Sequence, residues 1–298
     1  GKIQVLGNPI DVERLLLVKA RVLQMGHRLD LSPGQNVPTF VYNSRPERGL
    51  LVLLKYIWPE ILQMYPDAEL KVCFYSVDRE RMAPQVGVIH DTCIELMKSI
   101  PHVEYLGGLK KDDLYELVAR SSAILYTSIF PESFCIGACE AQILGTPFLT
   151  TNAFAMKETV LTKSHLVFDY TKLNEAFYRT MSRGTVETPL LSDRAKVAIQ
   201  RAVERNSTTQ RAMGKAGEEL IEETLHNAKG ELRFYFNSLQ KGQDPTRKST
   251  GIQHKLFNGP NDIYKILDTV RVHIKRDGKC VAPNGEKRKL TCLIFRNH

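Results

Sequence analysis

One stretch of the sequence, residues 123–150, constrains the fold more than any other. An apolar run at 123–127 is followed at 131–140 by PESFCIGACE. A buried strand that ends in a proline-bearing turn and then opens a helix directs the unpaired N–H groups of that helix at one point in space. The stretch therefore predicts a strand, a turn and a helix, with room for an anion such as phosphate at the start of the helix.

Two carboxylates, Glu132 and Glu140, bracket this turn and helix. If the interval between them is mostly helical, they are separated by about 12 Å of rise and about 80° of rotation, so both can face one side. Gly145 and Pro147 then end the helix before a further strand at 148–150. The alternative is an ordinary surface helix that carries two glutamates.

The pattern PESFxIxxCEAQxLGTP resembles the donor-binding motif of retaining glycosyltransferases of the GT-B type, the broad glycosyltransferase family 4 and its relatives. The resemblance covers about residues 38–226 and is specific only around Arg48 and 131–147. It implies transfer of a hexose or pentose from a UDP- or GDP-sugar to a hydroxyl of a glycan, lipid or protein, with retention of configuration. It also implies that the reaction needs no metal and no tightly bound cofactor.

The resemblance also implies roles for individual residues. Glu132 orients the sugar and Glu140 accepts from the ribose hydroxyls, while Arg48 holds the leaving diphosphate; Glu132 and Arg48 form the catalytic pair. No catalytic base is assigned. The remaining expected donor contacts are Arg45 at the diphosphate, Ser133, Phe134 and Cys135 at the start of the helix, and Leu106 and Gly107 at the base.

Each of these assignments has a plainer alternative. Arg45 and Arg48 can equally be solvated loop arginines, because charged loop residues are mostly exposed. The glycines at 107 and 108 can equally serve only to make a turn.

The chain around the motif predicts an α/β domain with a Rossmann-like parallel sheet and helices on both faces. Strand patterns occur at 38–42, 69–75, 102–106, 123–127, 148–152 and 166–169. Helical patterns occur at 12–25, 50–64, 91–99, 110–120, 172–182 and 192–239. Ligands of such sheets bind beyond the carboxyl ends of the strands. The relevant loops are therefore 43–49, 75–79, 106–109 and 128–134.

The predicted domains are an N-terminal helical segment at 1–36, the donor-binding domain at 37–240 and a basic C-terminal extension at 241–298. Residues 8–11, Asn-Pro-Ile-Asp, are similar to the Asn-Gly-Ile-Asp that closes the first domain of many GT-B enzymes. The resemblance then leaves the acceptor-side domain without a counterpart. A second hypothesis follows, in which the chain is a nucleotide-sugar-binding module or a subunit whose protein partner supplies the acceptor domain.

Charge and cysteine content limit the other function classes. The net charge is +8, but residues 227–298 hold fifteen Lys and Arg against six Asp and Glu, which leaves the first 226 residues at about −1. The cations at 265–289 lack interleaved aromatic residues, so they favour a solvated face over a nucleic-acid groove, and nucleic-acid modification is a third, weaker hypothesis. The six cysteines show no zinc-type pairing, and no apolar run is long enough to span a membrane. These features predict reduced thiols and a cytoplasmic protein.

Overall fold

The computed structural model describes residues 10–24, 37–75, 79–184, 186–205, 210 and 212–215, together with two short strands near the C-terminus. The chain divides into two compact units, one within Ile10–Glu222 and one formed by Gly1–Pro9 with Glu223–Asn297. The strands of the larger unit are β1 (Thr39–Tyr42), β2 (Glu69–Cys73), β3 (Val103–Gly107), β4 (Ala123–Tyr126), β5 (Phe148–Thr151) and β6 (Leu166–Phe168). Its α-helices are α1 (Val12–Gln24), α2 (Leu50–Val52), α3 (Trp58–Met64), α4 (Pro84–Ser99), α5 (Lys111–Arg120), α6 (Ile136–Leu144), α7 (Met156–Thr159), α8 (Tyr170–Met181) and α9 (Asp193–Val203).

The six strands form one parallel sheet in the order β3-β2-β1-β4-β5-β6. The chain builds outward from β1 to β3, then returns to place β4 beside β1 and builds outward again. The connection that leaves β1 leads to β2 on one side, and the connection that leaves β4 leads to β5 on the other side. This divergence makes a topological switch point between β1 and β4. The predicted Rossmann-like parallel sheet is confirmed.

The helices form two groups that fit the two faces of this sheet. Helix α2 contacts α4 and α8, whereas α1, α5 and α6 contact one another. Right-handed crossovers place connections on opposite faces when the strand order reverses. The two groups therefore cover opposite faces, and α1 packs against the helices of the larger unit.

Helix α6 lies in the core. All seven residues from Ala138 to Leu144 are buried, and the strands on either side of it in sequence, β4 and β5, are buried at every position. A solvated helix would show one buried stripe instead of an unbroken run. The surface-helix alternative for the motif is therefore wrong.

Proline shapes two of the helices. Helix α4 begins at Pro84, seven residues before the predicted start, because proline at the first helical position needs no N–H partner. Between α2 and α3 the chain adopts a π-helical segment, Leu53–Ile57, in which the Trp58 N–H donates to the carbonyl of Leu53. Pro59 follows directly and cannot donate, so this wider turn carries the helix past it.

The smaller unit contains an antiparallel strand pair, β7 (Cys280–Val281) with β8 (Lys287–Arg288), which brackets the predicted turn at 283–286. The further elements expected at 262–273 lie outside the described residues, as does most of the helical pattern after residue 205. Among the helices that the structure describes, none is long and apolar enough to cross a membrane.

The loop after β1 is joined to the loop after β4 through Gly49. The Thr127 hydroxyl donates to the Gly49 carbonyl over 3.0 Å, and the Ile129 N–H donates to the Arg48 carbonyl over 3.0 Å. Gly49 has φ +131°, and a Cβ at this position would overlap the carbonyl oxygen of Thr127. Only glycine satisfies both conditions, so this residue sets how closely the two loops approach.

We expect Gly49→Ala to lower the free energy of unfolding by more than about 3 kcal/mol, because backbone strain and a clash with backbone atoms combine. Gly107→Ala is the matched control, since Gly107 also has positive φ (+69°) but has no atom within 4 Å of an added Cβ. The control should lose only about 1–2 kcal/mol. Urea unfolding of both variants gives the comparison, and equal losses would contradict the close-approach explanation.

Three cysteines of the core have thiols with a raised pKa. Cys73, Cys93 and Cys139 are buried, and burial raises the pKa of each from 9.0 to about 12. The folded protein therefore holds these protons while the unfolded chain releases them near pH 9. These thiols accordingly contribute stability that is lost as pH rises from about 9 towards 12.

We expect these thiols to resist modification in the folded protein, because only the thiolate attacks a disulfide reagent. The test uses a variant in which the two cysteines of the C-terminal extension, Cys280 and Cys292, are changed to Ser. At pH 8 a thiol with a pKa of about 12 is ionised in only about one molecule in 10⁴. Labelling with a chromogenic disulfide should be slow in buffer and rapid in guanidinium chloride; rapid labelling of the folded variant would contradict the assignment.

Candidate active site

The candidate site lies at the switch point, where the loop after β1 (43–49) faces the loop after β4 (127–135). Ligands of open α/β sheets bind in the crevice beyond the carboxyl ends of the strands at this position. The β1 loop contains a short 3₁₀ helix, Pro46–Arg48, and the β4 loop contains Glu132. The topology thus brings together two of the segments that the sequence singled out separately.

Glu132 and Arg48 form an ion pair across this crevice. Arg48 Nη1 lies 2.6 Å from Glu132 Oε1, and the hydroxyl of Tyr126 donates to the same oxygen over 2.5 Å. Glu132 keeps only 10% of its side chain exposed and Arg48 keeps 28%. Tyr126 is the last residue of β4, so the sheet itself positions this hydroxyl.

Arg48 is held in place on two sides. Its guanidinium carbon lies 4.2 Å from the centre of the Phe130 ring, in cation–π geometry. Burial by itself would lower the pKa of Arg48, but the charge of Glu132 and the contact with Tyr126 raise that pKa above its ordinary value. Arg48 is therefore a fixed, permanent cation at the rim of the crevice, and the solvated-loop alternative for this residue is wrong.

Glu140 sits in a matching arrangement on helix α6. Lys111 Nζ lies 2.6 Å from Glu140 Oε1, and the Tyr115 hydroxyl donates to the same oxygen over 2.6 Å. The carboxylate is buried, and its partners come from the first turns of α5, the helix that follows the loop after β3. Burial and the hydrogen bond to Glu140 raise the pKa of Tyr115, so its hydroxyl stays protonated and remains a donor.

Both glutamates are therefore held by one cation and one tyrosine hydroxyl, always through Oε1. Among the described residues no hydrogen bond is recorded to the Oε2 of either Glu132 or Glu140. Neither Oε2 is among the buried atoms that lack a partner in that part of the chain. One fixed oxygen and one available oxygen on each carboxylate is an arrangement that can accept hydrogen bonds from sugar hydroxyls.

The backbone between the two glutamates differs from the prediction. Helix α6 begins at Ile136, so the interval is helical only in its second half, and the rise estimated for a mostly helical segment is wrong. Cys135 precedes the helix with φ +66°, a left-handed conformation that is unusual for a residue with a side chain. Ser133 and Phe134 form a bend before it. This turn places Glu132 in front of the helix instead of on it.

The start of helix α6 faces the β1 loop with open space between them. A Cβ built on Gly137 would meet only the side-chain nitrogen of Asn43, at 3.9 Å. The first N–H groups of a helix lack intrahelical partners and carry partial positive charge. The crevice thus has Arg48 on one side and a helix N-terminus on the other, which suits a phosphate group.

The thiol of Cys135 does not supply a nucleophile. Burial, followed by the nearby charge of Glu132, raises the pKa of this thiol well above its usual range. The same two influences, together with the neighbouring Cys135, raise the pKa of Tyr126. Both groups remain protonated at neutral pH.

Arg45 is the predicted residue that the structure separates from the others. The side chain of Arg45 is 58% exposed, and it pairs with Glu47 in its own loop instead of with Glu132.

The predicted base contacts Leu106 and Gly107 form the turn at the carboxyl end of β3, where Gly107 adopts positive φ. Close by, the Tyr75 hydroxyl donates to the Leu109 carbonyl over 3.1 Å.

Three residues of the site were missed from the sequence: Tyr126, Lys111 and Tyr115. Tyr126 ends a buried strand directly before the motif, and Lys111 and Tyr115 are four residues apart on one face of a helix that follows a sheet loop. Those positions were the available signal. Within the described part of the chain, no group of three or more His, Cys, Asp or Glu side chains is placed to hold a metal ion.

Comparison with known solved structures gives distant likenesses. HepE of Anabaena in complex with UDP-glucose is 18% identical, with a TM-score of 0.40 over 74% of this chain and 57% of that one. Sucrose-phosphate synthase of Thermosynechococcus elongatus is 17% identical, with a TM-score of 0.43 over 75% and 54%. A glycosyltransferase of Rickettsia africae is 17% identical, with a TM-score of 0.37 over 76% and 57%. This chain spans little more than half of the length of each of these proteins, and similarity at this level does not establish a shared function.

Sequence comparison is more informative. No curated protein sequence matches the chain. Residues 93–218 match the family model described as glycosyl transferases group 1. The matched segment includes β4, the motif at 131–140, helix α6 and the Lys111 and Tyr115 partners of Glu140, whereas Arg48 lies before it. Residues 93–218 of this chain are therefore similar to the glycosyl transferases group 1 family.

Proposed function

We propose that the chain binds a nucleotide diphosphate sugar in the switch-point crevice and transfers its sugar to a hydroxyl acceptor. The observation that carries the proposal is the Arg48–Glu132 ion pair, which joins the β1 and β4 loops at the place where open α/β sheets bind ligands. The match of residues 93–218 to the glycosyl transferases group 1 model supports a glycosyltransferase. The proposal assigns each part of the donor to a different element.

The sugar lies at Glu132. Its Oε1 is fixed by Arg48 and Tyr126, so Oε2 is held in one orientation and can accept from the sugar hydroxyls. A carboxylate held at two points loses little freedom when the ligand binds, so its binding energy goes into positioning the reacting carbon.

The nucleoside lies at Glu140 and the turn after β3. Glu140 Oε2 accepts from the ribose hydroxyls, while Lys111 and Tyr115 hold the buried carboxylate in one orientation. Lys111 belongs to the helix that follows Leu106 and Gly107, which places the ribose contact next to the turn proposed for the base. UDP- and GDP-sugars are both candidate donors.

The diphosphate lies between Arg48 and the start of helix α6. Negative charge grows on the diphosphate as the sugar leaves, and these two fixed positive groups stabilise it most in the transition state. The backbone N–H groups of Ser133, Phe134 and Cys135 lie in the same turn. This arrangement supports transfer without a divalent metal, which activity in excess chelator would test.

Retention of configuration is proposed without a covalent enzyme intermediate. Cys135, the thiol beside Glu132, is held protonated and is a poor nucleophile. The leaving phosphate can instead take the acceptor proton on the face from which it departs. The anomeric configuration of the product, read by NMR, decides between retention and inversion.

We expect Glu132→Ala to lower transfer by at least about 100-fold while changing nucleotide affinity little, because its contact is made to the sugar. Glu140→Ala should raise the dissociation constant for the nucleotide about 10- to 100-fold, and Glu140→Gln keeps the side-chain volume if the Ala variant unfolds. Glu175→Ala, an exposed carboxylate paired with Arg179 on α8, is the matched control. Turnover of the Glu132 variant at the wild-type rate would overturn the assignment.

We also expect Gly137→Ala to weaken UDP and GDP binding without unfolding the protein. The added methyl group meets no atom closer than 3.9 Å, so the fold accommodates it, yet it enters the space assigned to the diphosphate. Calorimetric titration with each nucleotide, together with thermal unfolding, measures both effects. Unchanged affinity would place the diphosphate elsewhere.

Incubation with UDP- and GDP-sugars separates an enzyme from a binding module. We expect slow release of free nucleotide from the correct donor, because water can replace the acceptor in an active site of this kind. Binding without release would identify the chain as a nucleotide-sugar-binding module that requires a partner with an acceptor domain. The donor that gives release is then used to test glycan, lipid and protein acceptors.

A further inference from the structure

The segment after β5 reaches back to the turn that carries Glu132. It leaves the carboxyl end of β5, the neighbour of β4 in the parallel sheet, so it starts at the same edge as the donor crevice. Two donors of this segment meet the turn. The Ala155 N–H donates to the Glu132 carbonyl over 3.2 Å, and the Thr159 hydroxyl donates to the Phe134 carbonyl over 2.6 Å. The turn is thus tied to a segment that has no part in the function proposed above.

The position of Thr159 is itself fixed by helix α6. Thr159 is the last residue of α7 and is buried, as is Gln142 on α6. The Gln142 side-chain nitrogen donates to the carbonyls of Thr159, over 2.9 Å, and of Ala138, over 3.0 Å. The side-chain oxygen of Gln142 accepts from the Leu161 N–H over 2.8 Å. Both ends of one buried amide therefore hold the end of α7 against the helix whose start faces the β1 loop.

The turn that Thr159 contacts has an unusual backbone. Cys135 lies in the left-handed region, with φ +66°, and such a residue persists only where the surrounding contacts hold it. The Phe134 carbonyl, which accepts from Thr159, belongs to the peptide unit directly before Cys135. In a trans peptide the N–H points opposite to the carbonyl, so this contact also fixes the direction of the Cys135 N–H, away from Thr159.

We propose that Thr159 is a positioning residue of the donor site, whose hydroxyl holds the turn at 133–135 in the conformation that binds the diphosphate. This role rests on the proposed function, which places the diphosphate at the start of helix α6. Thr159 acts through the Phe134 carbonyl, without a contact of its own to the donor. A carbonyl left without its donor in a partly buried place is costly, so removal of the hydroxyl favours a different turn.

The test is Thr159→Val in the full chain, which keeps the shape of the side chain and removes the hydroxyl. We expect the dissociation constant for UDP or GDP, whichever the wild type binds, to rise at least about 10-fold in calorimetric titration. Thr159→Ser keeps a hydroxyl and should bind within about threefold of wild type. Thr159→Ala, which also lacks the hydroxyl, replaces the Val variant if that variant unfolds. Wild-type affinity in a folded variant without the hydroxyl would overturn the proposal.

Thr146→Val is the matched control for a general loss of stability. Thr146 is fully buried, its hydroxyl donates to the Val118 carbonyl over 2.9 Å, and it lies beyond the opposite end of α6. We expect this variant to lower the melting temperature about as much as Thr159→Val but to change nucleotide affinity less than about twofold. An equal loss of affinity in both variants would assign the effect to destabilisation and contradict the positioning role.

A second measurement needs no ligand. Thr159→Val should speed hydrogen exchange at the Ala155 amide, which donates to the Glu132 carbonyl of the same turn, whereas Thr146→Val should not. An unchanged exchange rate at Ala155 in the Thr159 variant would refute the role of Thr159 as a brace for the turn. A wild-type chain that binds neither UDP nor GDP contradicts the proposed function as well, whereas wild-type binding that survives in Thr159→Val overturns only the role of Thr159.

Discussion

The close approach of the β1 and β4 loops at the switch point is the constraint on which the site depends. Gly49 allows backbone to lie against backbone at Thr127, and the hydrogen bonds on either side fix that distance. Arg48, the neighbour of Gly49, is thereby placed within ion-pair distance of Glu132, 84 residues later in the chain. Without this approach a guanidinium and a carboxylate on separate loops would each remain solvated.

Burial gives the same site its rigidity. Helix α6 is surrounded by packed side chains from its third residue onward, so Glu140 has to be neutralised by groups inside the protein. Lys111 and Tyr115 do this from a neighbouring helix, and Arg48 and Tyr126 do it for Glu132. Each pair contacts only one oxygen of its carboxylate, Oε1.

Much of the fold was predictable because its signals are local. Six strand patterns and most helix limits agree with the structure, as do the apolar strand and proline turn before α6. The prediction failed where local rules conflict. The left-handed backbone at Cys135 delays the start of α6, and Pro84 starts α4 earlier than its weak apolar pattern indicates. The residues expected at the site were likewise named from the motif, but Tyr126, Lys111 and Tyr115 were not, since their role depends on what they face.

The sequence by itself determined the parallel α/β class and the strand–turn–helix around residues 131–140. Hydrophobic periodicity and turn chemistry are properties of short segments, so they can be read without coordinates. Only the tertiary structure decided that β4 lies beside β1 and that Arg48 meets Glu132 while Arg45 meets Glu47. Those outcomes depend on strand order and on side-chain packing between distant segments, which no local pattern encodes.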